Sequence, residues 1–278
     1  MLYLLLAIAS SAMVSVVMRL STNKVQGNVS MLAMNYLMCM CMAAAYTGFG
    51  NLLPKHESLP QTIGMGVVHG ILYLVSFVLL QVNVKKNGVV LSATFMKLGL
   101  LVPMVVSVFL FHEIPAVTQT VGFLLAVAAI LLINLEREAT VVQSASGLLL
   151  LLLTGGAADA MSKVYEELGE PALSAQFLFY TFVVAFVLCL GLMVFKKQRI
   201  GKNELFFGLL IGIPNYFSAR FLLKALESLS AVIVYPSYSV AAILAVTAVG
   251  VVCFRERLGK RQWLALGVIL VALLLLNV

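Results

Sequence analysis

Phe111-His112-Glu113-Ile114-Pro115 follows the fourth of ten apolar runs in this chain. A related segment, Phe254-Arg255-Glu256-Arg257-Leu258, follows the ninth run at an offset of 143 residues. At offsets near this value other positions also align, namely Gln119 with Gln262, Asn134 with Asn277, Arg19 with Lys163, Ser30 with Ser174, Tyr36 with Tyr180 and Gly70 with Gly212. The order and near-constant spacing of these pairs indicate that the second half of the chain repeats the first.

The composition places the chain in the membrane. Of its 278 residues, 62% are hydrophobic and only 10% are charged, whereas a soluble domain carries about 25% charged residues. A helix needs roughly 20 apolar residues to cross the hydrocarbon core. We therefore predict an all-α integral membrane protein with ten transmembrane helices at 2–20, 31–50, 62–82, 89–111, 116–135, 147–165, 173–195, 204–226, 230–253 and 262–278.

The repeat divides the chain into two halves of five helices. We predict a first repeat over 1–135, a linker over 136–146 and a second repeat over 147–278. An odd number of helices makes the second copy enter from the opposite side of the membrane, so the repeats are inverted. Inverted repeats commonly build secondary transporters that work by alternating access.

The net charge of +7 is explained by the loops. Basic residues concentrate after the odd-numbered helices, at Arg19, Lys24, Lys85, Lys86, Arg137, Lys196, Lys197, Arg199, Lys202, Arg255, Arg257, Lys260 and Arg261, against Lys55, Lys163 and Lys224 after the even-numbered ones. The positive-inside rule then predicts a multi-pass protein of the cytoplasmic membrane with both termini outside. We expect contact with anionic lipid and none with nucleic acid.

The chain resembles the drug/metabolite transporter superfamily, and within it the ten-helix EamA-type proteins. The resemblance rests on length, the five-plus-five repeat, the aromatic-x-Glu patterns at Phe111 and Phe254, and the glycines Gly122 and Gly267. Helix 1 lacks the tryptophan-glycine pair of many members. The resemblance implies small-molecule transport through a cavity lined mainly by helices 1, 3, 4, 6, 8 and 9, and no particular substrate.

Polar side chains in the predicted spans are the candidate solute contacts, because ionisable groups at mid-membrane usually face the protein interior or a wet cavity. Lys97, Asp159, Arg220 and His69 are the ionisable ones. Helix spacing adds Tyr216 to the stripe that contains Arg220, and Ser15 to a stripe on helix 1. Tyr235, Tyr238 and Ser239 surround Pro236, where we expect an unwound backbone carbonyl.

Each candidate also has a structural interpretation. Asp159 could form a structural ion pair with Lys97 or Arg220, and Lys163 could pair with Asp159 or lie at the membrane interface. His69 could be a hydrogen-bonded packing residue. Glu113 and Glu256 are expected to cap or anchor helix ends rather than bind solute.

The sequence therefore predicts a secondary transporter for a small organic solute, such as an amino acid, a metabolite or a drug-like molecule, with anionic or zwitterionic chemistry favoured by Lys97 and Arg220. The alternative is a non-transporting helper subunit or receptor. An enzyme is not expected, because the sequence contains neither metal-ligand spacing among its three histidines nor a nucleophile paired with a base. We expect no cofactor, no metal and no ATP-binding loop; proton or solute antiport and a monomer or homodimer remain open.

Overall fold

A computed structural model describes residues 1–22, 24–134, 144–254 and 259–277. All regular structure in these ranges is helical. The α-helices are α1 (Leu2–Ser21), α2 (Asn28–Thr47), α3 (Leu59–Asn87), α4 (Val89–Leu98), α5 (Leu101–Leu110), α6 (Val117–Asn134), α7 (Ala145–Leu168), α8 (Ser174–Phe195), α9 (Lys202–Leu226), α10 (Ala231–Phe254) and α11 (Lys260–Leu276). Short 3-10 turns occupy Phe49–Asn51 and Pro171–Leu173.

Length and apolar composition make eight helical segments of the described chain able to cross a membrane. They are α1, α2, α3, Leu91–Leu110, α7, Pro171–Phe195, α9 and Ala231–Val252, and α6 adds a shorter apolar helix over Val117–Leu132. The all-helical, multi-pass character predicted from composition is therefore confirmed. Ten as the number of crossings, and their inverted arrangement, stay predictions.

The predicted helix at 89–111 is divided in the structure. Gly99 and Leu100 separate α4 from α5. Pro103 has no backbone N–H, so the carbonyl of Gly99, four residues earlier, cannot accept the usual helical hydrogen bond. Gly99 O instead accepts from Val102 N at 2.9 Å, and Leu100 N donates to Lys97 O at 3.4 Å. This three-residue spacing is that of a tightened 3-10 turn.

The chain forms two compact units. Unit 1 comprises Met1, Val75–Lys163 and Ala225–Val278, and unit 2 comprises Leu2–Leu74 and Val164–Lys224. Each unit draws helices from both halves of the sequence, and α3, α7 and the end of α9 contribute residues to both. The predicted repeats, 1–135 and 147–278, divide the chain differently from these two units, and they stay a prediction. Most of the linker predicted at 136–146 lies outside the described residues.

Unit 2 is built on the close packing of α2 against α8. Glycines bring the neighbouring helices against this pair. A Cβ on Gly70 of α3 would lie 2.6 Å from Thr181 O of α8, and a Cβ on Gly208 of α9 would lie 2.6 Å from Met31 O of α2. In lipid, helices associate through such close backbone approach, because surrounding acyl chains remove the hydrophobic drive.

Unit 1 is built on α6 against α11. Gly122 of α6 makes room for α11, since a Cβ there would lie 3.0 Å from Ala272 O. Ala126, Ala129 and Ala272 are fully buried in the same core. Small side chains therefore let these two helices pack closely, as glycines do in unit 2.

A polar tie joins α3 to the start of α7 within unit 1. The amide of Asn83 donates to Gly147 O at 2.9 Å, and Ser144 N donates to the Asn87 side-chain oxygen at 3.0 Å. The second bond satisfies a backbone N–H at the helix start, where N–H groups lack intrahelical partners, and the first adds a donor to a carbonyl of the first turn. They fix where α7 begins, and α7 carries Asp159.

Candidate functional site

The break between α4 and α5 positions Lys97 beside α7. Lys97 lies in the last turn of α4, not at the middle of a continuous helix as the sequence suggested. Gly99, two residues after Lys97, faces Gly156 of α7. A Cβ added to Gly156 would overlap Gly99 O and lie 2.5 Å from Val102 Cγ2. Asp159 is one turn further along α7. The absence of side chains at Gly99 and Gly156 is thus what brings Lys97 and Asp159 together.

Lys97 and Asp159 attract each other without forming a direct ion pair. Their charges interact electrostatically, yet among the described residues neither group has an opposite charge within the 4.0 Å ion-pair distance. Both side chains are exposed. Of the interpretations left open by the sequence, a closed structural ion pair between these two residues is therefore not what the structure contains.

Tyr235 supports the backbone of this site. Its hydroxyl donates to Asp159 O at 2.8 Å, and its side chain is 2% exposed. Tyr238 and Ser239 are half-buried on the same helix. α10 runs as one helix from Ala231 to Phe254 with Pro236 inside it, so the backbone there is not unwound. Pro236 still leaves the carbonyl of Val232, four residues earlier, without its usual helical donor.

An ion pair in unit 1 joins α7 to the segment that follows α5, and through it to the start of α10. Lys163 Nζ lies 2.8 Å from Glu113 Oε1, with the two side chains 3% and 17% exposed. Glu113 Oε2 accepts from Ala231 N at 2.8 Å and Val232 N at 3.4 Å, at the start of α10. A carboxylate is favourable there because the helix N-terminus carries unpaired N–H groups and a positive partial charge.

Glu113 thus anchors a helix end, as the sequence indicated. Lys163 pairs with Glu113, from the segment after α5, rather than with Asp159 one turn before it in α7. Glu256, predicted to play the equivalent role in the second half, lies outside the described residues.

Arg220 lies in unit 2, against an aromatic ring that the sequence did not single out. Its guanidinium Cζ is 4.0 Å from the centroid of the Tyr46 ring, and the side chain is only 7% exposed. Within the described part of its unit, the guanidinium has no carboxylate within 4.0 Å. Tyr46 stands near the end of α2 among apolar residues, and no spacing pattern in the sequence distinguished it.

Tyr216 precedes Arg220 by one turn of α9. It is 1% exposed, and its hydroxyl has no hydrogen-bond partner among the described residues. The hydroxyl lies near enough to the Arg220 charge to interact with it. The predicted stripe on this helix therefore brings two hydrogen-bond donors together.

His69 and Ser15 have more ordinary surroundings. The His69 ring is 1% exposed and stacks on Tyr73, at 4.5 Å between centroids, and on Phe177, at 5.4 Å. Its Nδ1 lies 3.5 Å from Thr181 Oγ1. These contacts favour the packing interpretation of His69. Ser15 is exposed and donates to Ser11 O at 3.2 Å.

Within the described residues, no three side chains of His, Cys, Asp or Glu are close enough together to hold a metal ion. In unit 1, Lys97 and Asp159 offer one charge of each sign. In unit 2, the Arg220 guanidinium offers only hydrogen-bond donors, and the Tyr216 hydroxyl can donate or accept.

Comparison with known proteins agrees with this architecture. The sequence model of the EamA-like transporter family matches residues 1–135 and 145–278. A protein of Haemophilus influenzae, described as uncharacterized, is 23% identical over 276 residues, which cover 95% of this chain and 93% of that protein. A crystal structure of a protein with 12% identity superposes with a TM-score of 0.76 over 99% of this chain and 98% of the other, which shows a shared fold.

The sequence resemblance rested on two aromatic-x-Glu segments and the repeat, and the match covers both halves of the chain. The chain belongs to the EamA-like transporter family of the drug/metabolite transporter superfamily.

Proposed function

We propose that this protein is a secondary transporter that moves a small organic solute across the cytoplasmic membrane. It does so by alternating access between two inverted repeats of five transmembrane helices, over residues 1–135 and 147–278. In this proposal α4 and α5 together form the fourth crossing. The family supports a transporter, and its members are not enzymes.

The packing inside each unit supports the repeat. With five helices per half, α2 and α8 are both second helices, and α6 and α11 are both fifth helices. In each unit the closest packing joins such an equivalent pair. The glycines follow the same rule, because Gly66 and Gly70 of α3 pack on α8 whereas Gly208 and Gly212 of α9 pack on α2. Reciprocal packing of this kind is expected when two copies are related by a two-fold axis.

The observation that carries the proposal is the state of Lys97 and Asp159. Both are exposed, lie in helices apolar enough to span a membrane, and lack a direct ion pair in the described structure. A charge facing lipid costs roughly 2.5 kcal/mol or more. We therefore infer that both face water, where a zwitterionic or anionic solute can bind Lys97 with its carboxylate or phosphate.

Asp159 has a second role in this proposal. A carboxyl group that faces water and lies near a lysine can bind and release a proton as the site changes access. Proton antiport through Asp159 and exchange of one solute for another are the two forms of coupling considered. Both termini are placed outside on the distribution of basic residues, and the working unit is a monomer or homodimer.

Further proposed solute contacts are Tyr235, Tyr238 and Ser239 in unit 1, and Arg220, Tyr216 and Ser15 in unit 2. His69 was also a predicted solute contact, but its stacking on Tyr73 and Phe177 favours a packing role. A non-transporting helper subunit or receptor is the alternative. Such a protein needs no charged pair in its membrane helices, so the unpaired Lys97 and Asp159 weigh against it.

The test begins with the purified full chain. A thermal-shift screen against amino acids, organic acids, sugar phosphates and common drugs identifies stabilising solutes. Counterflow of a stabilising radiolabelled solute is then measured in liposomes for the native protein, Lys97→Gln, Asp159→Asn and the matched control Lys85→Gln, whose side chain is exposed at the end of α3.

We expect counterflow with the native protein and the control, and a loss of at least about tenfold in initial rate for Lys97→Gln, as for a lost hydrogen bond to a charged group. Asp159→Asn should abolish any dependence on a proton gradient. Equal counterflow rates in all four proteins would show that Lys97 and Asp159 take no part in transport. A solute that binds but shows no counterflow would favour the receptor alternative.

A further inference from the structure

Arg220 is a buried cation for which the described residues supply no hydrogen-bond acceptor. Its side chain is 7% exposed, and its one described contact with a charged or aromatic group is the face of Tyr46. A guanidinium carries five N–H donors in its plane, and the cation–π contact with the Tyr46 ring supplies none of them with an oxygen acceptor. A buried charge is normally paired with its counter-ion, so the missing element is an acceptor.

Tyr216 adds a second donor on the same side of α9. The two residues are four apart and therefore lie on the same helix face. The Tyr216 hydroxyl is buried without a partner in the described structure, although buried hydroxyl groups are almost always hydrogen-bonded. The Arg220 guanidinium and the Tyr216 hydroxyl can therefore both donate to an acceptor oxygen, and the described residues supply none.

Lys224 lies one turn further along the same helix face, and Glu227 follows directly after the end of α9. Both have interactions of their own. The charge available at Arg220 is therefore a single positive one, held in a planar fork. A carboxylate matches it in charge, in planarity and in the spacing of its two oxygens, and the resulting paired hydrogen bonds are directional.

We propose that Arg220, Tyr216 and Tyr46 form a carboxylate-binding subsite in unit 2, with Tyr46 as the positioning residue. Arg220 binds the two carboxylate oxygens, Tyr216 donates to one of them, and the Tyr46 ring holds the guanidinium flat by cation–π contact. This subsite rests on the proposed transport function and narrows its solute class to molecules with a free carboxylate.

Tyr46 distinguishes this subsite from a generic positive charge. Tyr46 is 59% exposed, and its ring fixes the orientation of Arg220 through the 4.0 Å contact. Because the ring and not the hydroxyl makes the contact, phenylalanine should replace Tyr46, whereas a leucine of similar bulk should not.

The experiment uses the purified full chain and two matched pairs of probes, L-leucine with L-leucinamide and succinate with succinamide, with inorganic phosphate as a third arm. Apparent affinities are measured from ligand-dependent shifts in the unfolding temperature. The variants are Arg220→Lys, Tyr216→Phe, Tyr46→Phe and Tyr46→Leu, with Arg199→Lys as an exposed-arginine control.

We expect a carboxylate to bind at least about tenfold more tightly than its amide, and Arg220→Lys to lose about tenfold because it keeps the charge but not the fork. Tyr216→Phe and Tyr46→Leu should each weaken carboxylate binding several-fold, while Tyr46→Phe and the control should match the native protein. If Arg220→Lys does not fold, the carboxylate affinities of Tyr46→Phe and Tyr46→Leu are compared instead, and a weaker affinity of Tyr46→Leu supports the subsite.

Three results would overturn the subsite: equal affinity for carboxylates and amides, tighter binding of phosphate than of any carboxylate, or identical carboxylate binding by Tyr46→Leu and Tyr46→Phe. Counterflow separates the two proposals. If Arg220→Lys transports a carboxylate with an unchanged KM, the proposed subsite is refuted and the transport function is supported. If carboxylate binding depends on Arg220 but no counterflow occurs, the subsite is supported and the transport function is refuted.

Discussion

Replacing Gly156 by alanine should separate α7 from the α4–α5 break and disturb the Lys97–Asp159 site. The new Cβ would overlap Gly99 O and lie 2.5 Å from Val102 Cγ2. The backbone oxygen at Gly99 cannot rotate away as a side chain can, so the helices themselves must move. Gly155, the preceding residue of the same helix, provides the control, since nothing lies within 4 Å of a Cβ placed there.

The magnitude follows from two opposing effects. Replacing glycine by alanine inside a helix is favourable by about 1 kcal/mol, and this gain is common to both variants. Overpacking costs about 1–3 kcal/mol and applies to Gly156→Ala alone. The two variants should therefore differ by about 1–3 kcal/mol. At about 2–4 °C per kcal/mol, the difference in unfolding temperature is about 2–12 °C.

The assay is thermal unfolding of both purified variants in the same detergent, followed by solute binding at 20 °C below the lower transition. Gly155→Ala should be as stable as the native protein or more so, and should bind solute equally well. Gly156→Ala should unfold at a lower temperature and bind more weakly, because Lys97 and Asp159 move apart. An unfolding temperature for Gly156→Ala equal to or above that of Gly155→Ala would refute the reasoning.

Two further predictions concern contacts within one unit. Gly70→Ala should unfold at a lower temperature than Gly64→Ala, since a Cβ on Gly70 would lie 2.6 Å from Thr181 O whereas nothing lies within 4 Å of one on Gly64; equal stabilities would argue against close packing of α3 on α8. Glu113→Gln and Lys163→Met should each lower stability by about 3 kcal/mol, as expected when one partner of a buried ion pair is removed. The double variant should lose less than the two together, and strictly additive losses in a double-mutant cycle would show that the pair is not coupled.

The helices were predictable because their cause is local. Every backbone polar group in the hydrocarbon core must be paired inside its own segment, so an apolar run of sufficient length is helical whatever surrounds it. The predicted spans at 116–135 and 173–195 therefore coincide closely with Val117–Asn134 and Ser174–Phe195. The division of the fourth span also has a local cause, Pro103 four residues after Gly99, although the sequence analysis did not use it.

The choice of polar residues was partly predictable. A lysine, an aspartate and an arginine are conspicuous within apolar runs, and the sequence identifies Lys97, Asp159 and Arg220 on that ground alone. Helix periodicity also put Tyr216 on the face of Arg220. The same argument selected His69, whose stacking between Tyr73 and Phe177 is equally compatible with packing.

The sequence by itself determined which segments are helical, that the second half repeats the first, and which charges lie within the apolar segments. Only the tertiary structure decided the contacts: Glu113 for Lys163, Tyr46 for Arg220 and, among the described residues, no carboxylate within 4.0 Å of Lys97. Periodicity relates residues three or four apart on one helix, whereas these partners depend on how separate helices approach. That approach is set by contacts without side chains, such as Gly99 against Gly156, which a one-dimensional pattern does not contain.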